Sequence, residues 1–140
     1  MRRRDLSHDS GVTSGRGSGP EVASDQEHVQ HLTGFEAAQR ILKYGEVDGI
    51  FCVNDIVGIG SLDGARAFGR SVPEDVWVIG YDDISMCSWR CVDLTSVHQP
   101  LDAMVDVTVS RLCERLRSSA PLTPQRTVLP FSFSFRGSSG

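Results

Sequence analysis

A strand–helix–strand pattern in residues 48–84 limits the possible folds of this chain more than any other feature. The apolar run 50–53 stops at Asn54-Asp55, and the run 76–81 stops at Asp82-Asp83. Apolar residues between the two runs recur at helical spacing. Alternating strands and helices predict an α/β fold with a mostly parallel sheet. Because ligands of open parallel sheets bind beyond the carboxyl ends of the strands, the polar pairs predict a ligand site.

The remaining elements are predicted from caps and periodicity. Thr33 and Glu36 have capping-box spacing, so a helix is expected to begin at Thr33 and to end at Gly45. Strands are predicted at 94–97 and 131–135, with a helix after Pro100. Pro130 and the alternating phenylalanines place the last strand at a sheet edge.

Several side chains have structural interpretations that need no ligand. Asp55 is expected to cap the helix over 55–68, and its glycines, Gly58, Gly60 and Gly64, indicate either close packing or a weak helix. Trp77, within the second strand, is expected in the core. The tail 137–140 is expected to fray.

Length and composition fit one globular domain preceded by a different segment. The chain has 140 residues, a net charge of −4, 39% hydrophobic and 23% charged residues. The negative charge argues against broad nucleic-acid binding by this chain, and no apolar run approaches the roughly 18 residues of a membrane span. Residues 1–32, Gly/Ser-rich at 11–20, are predicted to be flexible or non-homologous sequence. Residues 33–140 are predicted to form the domain.

The four cysteines do not have the spacing of a metal site. Cys52 and Cys113 fall within apolar elements, whereas Cys87 and Cys91 form a C-x3-C pair with His98 nearby. A structural zinc site needs four ligands, usually in two close pairs. We therefore expect no metal and no cofactor. Free thiols fit a reducing, cytoplasmic location.

Three polar side chains follow predicted strands directly, and they are the candidate ligand contacts. Asn54, Asp82 and Gln99 offer hydrogen-bond donors and acceptors suited to a sugar, a nucleoside or a polyol. Asp83 and Trp89 are further candidates for lining this pocket. A turn-forming role for Asp83 and simple packing for Trp89 are the alternatives.

A phosphoryl-transfer enzyme is the main alternative from another class. An acidic pair at a strand end can bind Mg²⁺, as in receiver domains. Such sites also need a lysine or hydroxyl at another strand end. The single lysine, Lys43, falls within a predicted helix. The residues therefore favour a binding module over an enzyme.

The same residues carry a family resemblance that covers about residues 33–138. The stretch 48–84, with its Asn-Asp, its Val-Pro-Glu-Asp turn and its Val-Ile-Gly-Tyr-Asp-Asp, resembles the lactose/galactose repressor (LacI/GalR) family. LTSVHQP at 94–100 is similar to the family's Leu-Thr-Thr-Val-x-Gln-Pro. The terminal Arg136-Gly137-Ser138 resembles its Arg-x-Ser.

The resemblance implies a periplasmic-binding-protein-like sensor of two α/β lobes, of which this chain would hold mainly the C-terminal lobe. It assigns Asn54, Asp82 and Gln99 to a sugar or nucleobase-like effector, and Ile59 to a homodimer contact. The family's DNA-binding helix-turn-helix has no match here, so operator DNA would be bound only through a domain absent from this chain. A sugar-binding protein of an uptake system shares the fold and is an alternative.

Overall fold

The computed structural model describes residues 21–118 and 123–140, which form an open four-stranded sheet with flanking helices. The elements in chain order are α1 (Glu21–Tyr44), β1 (Gly49–Phe51), α2 (Asp55–Ala67), β2 (Trp77–Tyr81), a short 3₁₀ helix (Ser85–Ser88), β3 (Thr95–His98), α3 (Leu101–Arg117) and β4 (Ser132–Ser134). The sheet order is β1-β2-β3-β4. The first three strands are parallel, and β4 pairs antiparallel with β3 at the edge. The predicted α/β class, element order and edge strand are confirmed.

Helix α1 begins at Glu21, so the predicted start at Thr33 is wrong. The Thr33 hydroxyl lies inside the helix and donates to the Val29 carbonyl at 2.8 Å rather than capping an end. The helix ends at Tyr44, directly before Gly45, as predicted. The Gly/Ser-rich stretch 11–20 lies outside the described residues.

Glycines bring α1 and α2 into backbone contact. A Cβ at Gly34 would overlap the carbonyl oxygen of Val57, and one at Gly60 would overlap the carbonyl oxygen of His31. A Cβ at Gly64 would likewise overlap the carbonyl oxygen of Phe35. The glycines of α2 therefore serve close packing, which decides between the two interpretations of this helix.

The core lies between these helices and one face of the sheet. One cluster of buried residues joins Cys52, Leu62, Val78, Cys87 and Leu94, and a second joins Leu42, Ala65 and Val76.

On the opposite face of the sheet, β1 and the start of β2 are exposed, whereas Thr95 and Val97 of β3 are buried. Trp77 is 46% exposed and Phe51 64%. Trp77 precedes the buried Val78 in β2, so its side chain lies on the face opposite to Val78, and the prediction of Trp77 as core is wrong. No residue of α3 is buried. Each helix within residues 21–118 and 123–140 is too short or too polar to span a bilayer.

The chain end is docked, so the predicted fraying of 137–140 is wrong. Ser138 is 2% exposed and lies between the amino ends of β2 and β3. Its hydroxyl accepts from the Thr95 amide at 2.8 Å and donates to the Val78 carbonyl at 2.6 Å. Its carbonyl accepts from the Val78 amide. Ser138 thus takes the place of a β3 residue as the hydrogen-bond partner of the Val78 backbone.

Candidate functional site

The three predicted contacts follow neighbouring strands at one edge of the sheet. Phe51 pairs with Ile79, and Tyr81 pairs with Val97, so the carboxyl ends of β1, β2 and β3 lie side by side. The segments after these strands carry the predicted contacts, which are each partly exposed: Asn54, Asp82 and Gln99. The strand order thus places all three at the carboxyl edge.

Asp82 and Gln99 are in direct contact. Gln99 Nε2 donates to Asp82 Oδ1 at 2.5 Å, and the Asp82 amide donates to the Val97 carbonyl. Within residues 21–118 and 123–140, the side-chain hydrogen bond of this pair uses Asp82 Oδ1 and Gln99 Nε2 and not the other oxygen of either side chain. One oxygen of each side chain, Asp82 Oδ2 and Gln99 Oε1, is therefore available as an acceptor at the strand ends.

The backbone at this turn is in an unfavourable conformation. Asp82 and Asp83 have φ angles of 113° and 57°. A left-handed conformation costs about 1–2 kcal/mol for a residue with a Cβ. Surrounding contacts must offset that cost, and they come from the side chains beneath the turn.

Asn54, rather than Asp55, caps α2, so the predicted capping role of Asp55 is wrong. Asn54 Oδ1 accepts from the Val57 amide at 2.9 Å, and Asn54 Nδ2 donates to Gln30 Oε1 at 3.2 Å. One amide hydrogen of Asn54 remains for another acceptor. Asn54 thus shares the edge with Asp82 but has no hydrogen bond to it.

Asp55 is a buried carboxyl that joins α2 to the segments after β2 and within β3. It is 1% exposed, and its oxygens accept from the Ser96 hydroxyl at 2.6 Å and the Ile84 amide at 2.8 Å. Burial, and then the neighbouring Asp55, raise the pKa of the Cys87 thiol to about 12. Sequence reasoning missed this role. The sequence did hold one signal: Asn54 is itself a good N-cap residue, which leaves Asp55 free for another role.

Asp83 binds three donors from other parts of the chain. Arg136 Nη2 donates to its Oδ1 at 2.7 Å, Ser134 donates to its Oδ2 at 2.7 Å, and His98 Nδ1 lies 3.1 Å from Oδ2. Burial opposes ionisation of Asp83, but these hydrogen bonds and the Arg136 charge outweigh it and lower the pKa of the carboxyl. Asp83, a predicted pocket-lining residue, therefore has both oxygens engaged within the protein.

The lowered pKa of Asp83 predicts a loss of stability in acid. A depressed pKa stabilises the fold above the unfolded value of about 3.9, and this contribution disappears as the pH falls through the folded pKa. Asp83→Asn should therefore cost about 1.5–3 kcal/mol at pH 7 and progressively less below pH 4. Melting temperatures of both proteins between pH 7 and pH 3 check this. Asp106→Asn, on the exposed α3, is the control. A difference in melting temperature between the wild type and Asp83→Asn that stays constant with pH would contradict the prediction.

The other residues predicted for the site take no part in the hydrogen bonds described above. Trp89 is 54% exposed just after the 3₁₀ helix. Ile59 is half-buried against the first core cluster. Cys87 is buried and Cys91 is exposed. Among the described residues, no group of three metal-ligating side chains comes together.

Known proteins resemble this chain in both sequence and fold. Residues 4–139 match a family model described as a periplasmic binding protein-like domain. The HTH-type transcriptional repressor PurR of Escherichia coli O1:K1 / APEC is 34% identical over 98 residues, which are 69% of this chain and 29% of the repressor.

Two solved structures of LacI-family regulators are also similar to this chain in sequence and fold. A LacI-family transcriptional regulatory protein from Corynebacterium glutamicum is 32% identical with a TM-score of 0.65, over 78% of this chain and 42% of that one. A LacI family regulator from Enterococcus faecalis V583 with bound ribose is 33% identical with a TM-score of 0.66, over 78% and 40%. The chain thus spans under a third of the curated relative and about two fifths of the solved chains.

Proposed function

Because the chain belongs to the family of periplasmic binding protein-like domains and corresponds to the effector-binding part of LacI-type regulators, we propose that its strand-end residues bind a small polyhydroxylated effector. Asp82, Gln99 and Asn54 form one wall of the effector site. The observation that carries the proposal is the contact of Gln99 with Asp82 at the carboxyl edge of the sheet, which uses only one polar atom of each side chain.

The chemistry of these atoms suits sugar hydroxyls. Asp82 Oδ2 and Gln99 Oε1 accept hydrogen bonds, and the remaining amide hydrogen of Asn54 donates one. A hydroxyl that donates to the carboxylate makes a charge-assisted bond, which is about twice as strong as a neutral one. The regulator from Enterococcus faecalis that resembles this chain holds ribose. A sugar is therefore the first effector to test, with a nucleobase-like ligand as the second.

The effector would act within a larger regulator. In this proposal a second lobe supplies the other wall of the cleft, α2 with Ile59 contributes to a homodimer, and operator DNA is bound through a separate domain. The role is regulatory rather than enzymatic. Because operator DNA lies in the cytoplasm, we also assign the protein to that compartment.

Ribose binding tests the proposal. Isothermal titration of the chain with D-ribose should give a dissociation constant in the range of about 1 mM, because a single wall supplies few contacts. Asp82→Asn and Gln99→Ala should each weaken binding by about tenfold or more, since each removes an acceptor from the pair.

A matched control lies at the opposite end of the strands. Asp48 precedes β1 at the amino edge and is exposed, so Asp48→Asn removes the same charge far from the site and should leave ribose affinity unchanged. A folded chain that binds neither ribose nor a related sugar or nucleobase would contradict the proposal. So would tight Mg²⁺ binding that Asp82→Ala abolishes, because it would support the phosphoryl-transfer alternative.

A further inference from the structure

The Arg136 side chain has a fixed position behind the turn that carries Asp82. Its Nη2 donates to Asp83 at 2.7 Å, and its Nη1 donates to the Leu94 carbonyl at 2.8 Å. The Arg136 amide donates to Thr95 Oγ1, and Thr95 Oγ1 donates to the Arg136 carbonyl. The ion pair is well shielded, since the side chains of Arg136 and Asp83 are only 18% and 12% exposed. The guanidinium and the backbone of Arg136 are therefore both hydrogen-bonded to residues at the amino end of β3.

Asp83 connects Arg136 to the turn that carries Asp82. Its carboxylate joins Arg136 to Ser134 and His98, and its amide donates to the Ser96 hydroxyl at 3.1 Å. Asp83 and Asp82 both have positive φ, which residues with a Cβ disfavour. Tertiary contacts, rather than local preference, therefore hold the peptide between the two aspartates.

Two adjacent pairs link the end of β2 to the end of β3. His98 pairs with Asp83, and Gln99 pairs with Asp82, so two consecutive residues after β2 meet two consecutive residues at the end of β3. The two pairs share the turn at Asp82-Asp83, so the position of Asp83 affects where Asp82 lies. Removing the Arg136 charge would release Asp83 and let the turn relax.

We propose that Arg136 is a positioning residue for the effector site: by clamping Asp83 it holds Asp82 against Gln99, although it does not touch the site itself. This inference rests on the proposed function for the role of Asp82, but the positioning itself can be measured without any ligand. The class of ligand affected is the polyhydroxylated effector proposed above.

Arg136→Met tests the inference, because it keeps most of the aliphatic stem and removes the guanidinium. In the ¹H–¹⁵N spectrum of the intact chain, the side-chain amide signal of Gln99 should move to the position of a solvated amide. Ribose affinity should fall by about tenfold or more. Arg136→Lys keeps the charge but presents one ammonium in place of a fork, so it should restore both properties in part and serves if Arg136→Met fails to fold.

Ser138→Ala is the matched control for a purely structural effect. Ser138 lies two residues further along the same tail and bonds to Val78 and Thr95, not to Asp83. This variant should lower the melting temperature while leaving the Gln99 signal and ribose affinity unchanged. The inference is overturned if Arg136→Met keeps the Gln99 signal, or if Ser138→Ala shifts it equally.

The two proposals fail in different ways. A wild-type chain that binds no ribose, sugar or nucleobase, but whose Gln99 signal responds to Arg136→Met and not to Ser138→Ala, contradicts the proposed function and supports the positioning. Normal ribose binding with an unchanged Gln99 signal in Arg136→Met contradicts the positioning alone.

Discussion

Asp55→Ala should lower the free energy of unfolding by about 3 kcal/mol. The Asp55 carboxyl is buried and accepts from the Ser96 hydroxyl and the Ile84 amide. Its removal leaves two donors without their acceptors, at about 1–3 kcal/mol for each buried group, and adds a small cavity. Urea denaturation followed by circular dichroism gives the difference from the shift of the midpoint. Asp55→Asn, which keeps the shape and one acceptor, should cost less.

The control for this prediction is in the same helix. Asp63 is half-exposed and pairs with His31 at 2.9 Å. Because exposed ion pairs contribute only about 0–1 kcal/mol, Asp63→Ala should change stability little. If Asp55→Ala unfolds at the same urea concentration as Asp63→Ala, the buried carboxyl does not hold these segments together.

Gly60→Ala should destabilise the chain by about 2–3 kcal/mol, although alanine is the better helix former. In an isolated helix the change would be favourable by about 1 kcal/mol. In this protein the new Cβ would overlap the carbonyl oxygen of His31 in α1. A backbone atom of a packed helix cannot move aside as a side chain does, so the two helices must separate and lose contacts. The free energy of unfolding in urea measures the net effect.

Gly45→Ala is the matched control for the glycine substitution. A Cβ at Gly45 would meet no atom within 4 Å. The change should therefore stay within about 0.5 kcal/mol. A Gly60→Ala variant as stable as the wild type, or more stable, would show that helix propensity outweighs the contact between α1 and α2.

The strand ends could be predicted because they depend on local pattern and on simple geometry. Apolar runs that stop at Asn54, Asp82 and Gln99 define three strands, and parallel neighbours must end at the same edge. That arrangement places Asp82 and Gln99 at one edge, but their direct hydrogen bond was seen only in the structure. Their role as effector contacts remains a prediction that the ribose titration tests.

The inner partners of the site could not be predicted in the same way. Whether Asn54 or Asp55 caps α2 depends on which side chain turns toward β3, and Ser96 lies 41 residues from Asp55 along the chain. Arg136 reaches Asp83 across 53 residues. Trp77 has the sequence environment of a core residue, but it belongs to the sheet face that no described helix covers.

The sequence by itself determined the α/β class, the mostly parallel sheet and the edge at which polar side chains gather. Each of these depends on periodicity and on residues close together in the chain. Only the tertiary structure decided that Asp55 is buried, and that Arg136 and Ser138 fasten the chain end to the sheet. The physical reason is that hydrogen-bond partners distant in sequence leave no local pattern, and their choice depends on how the elements pack.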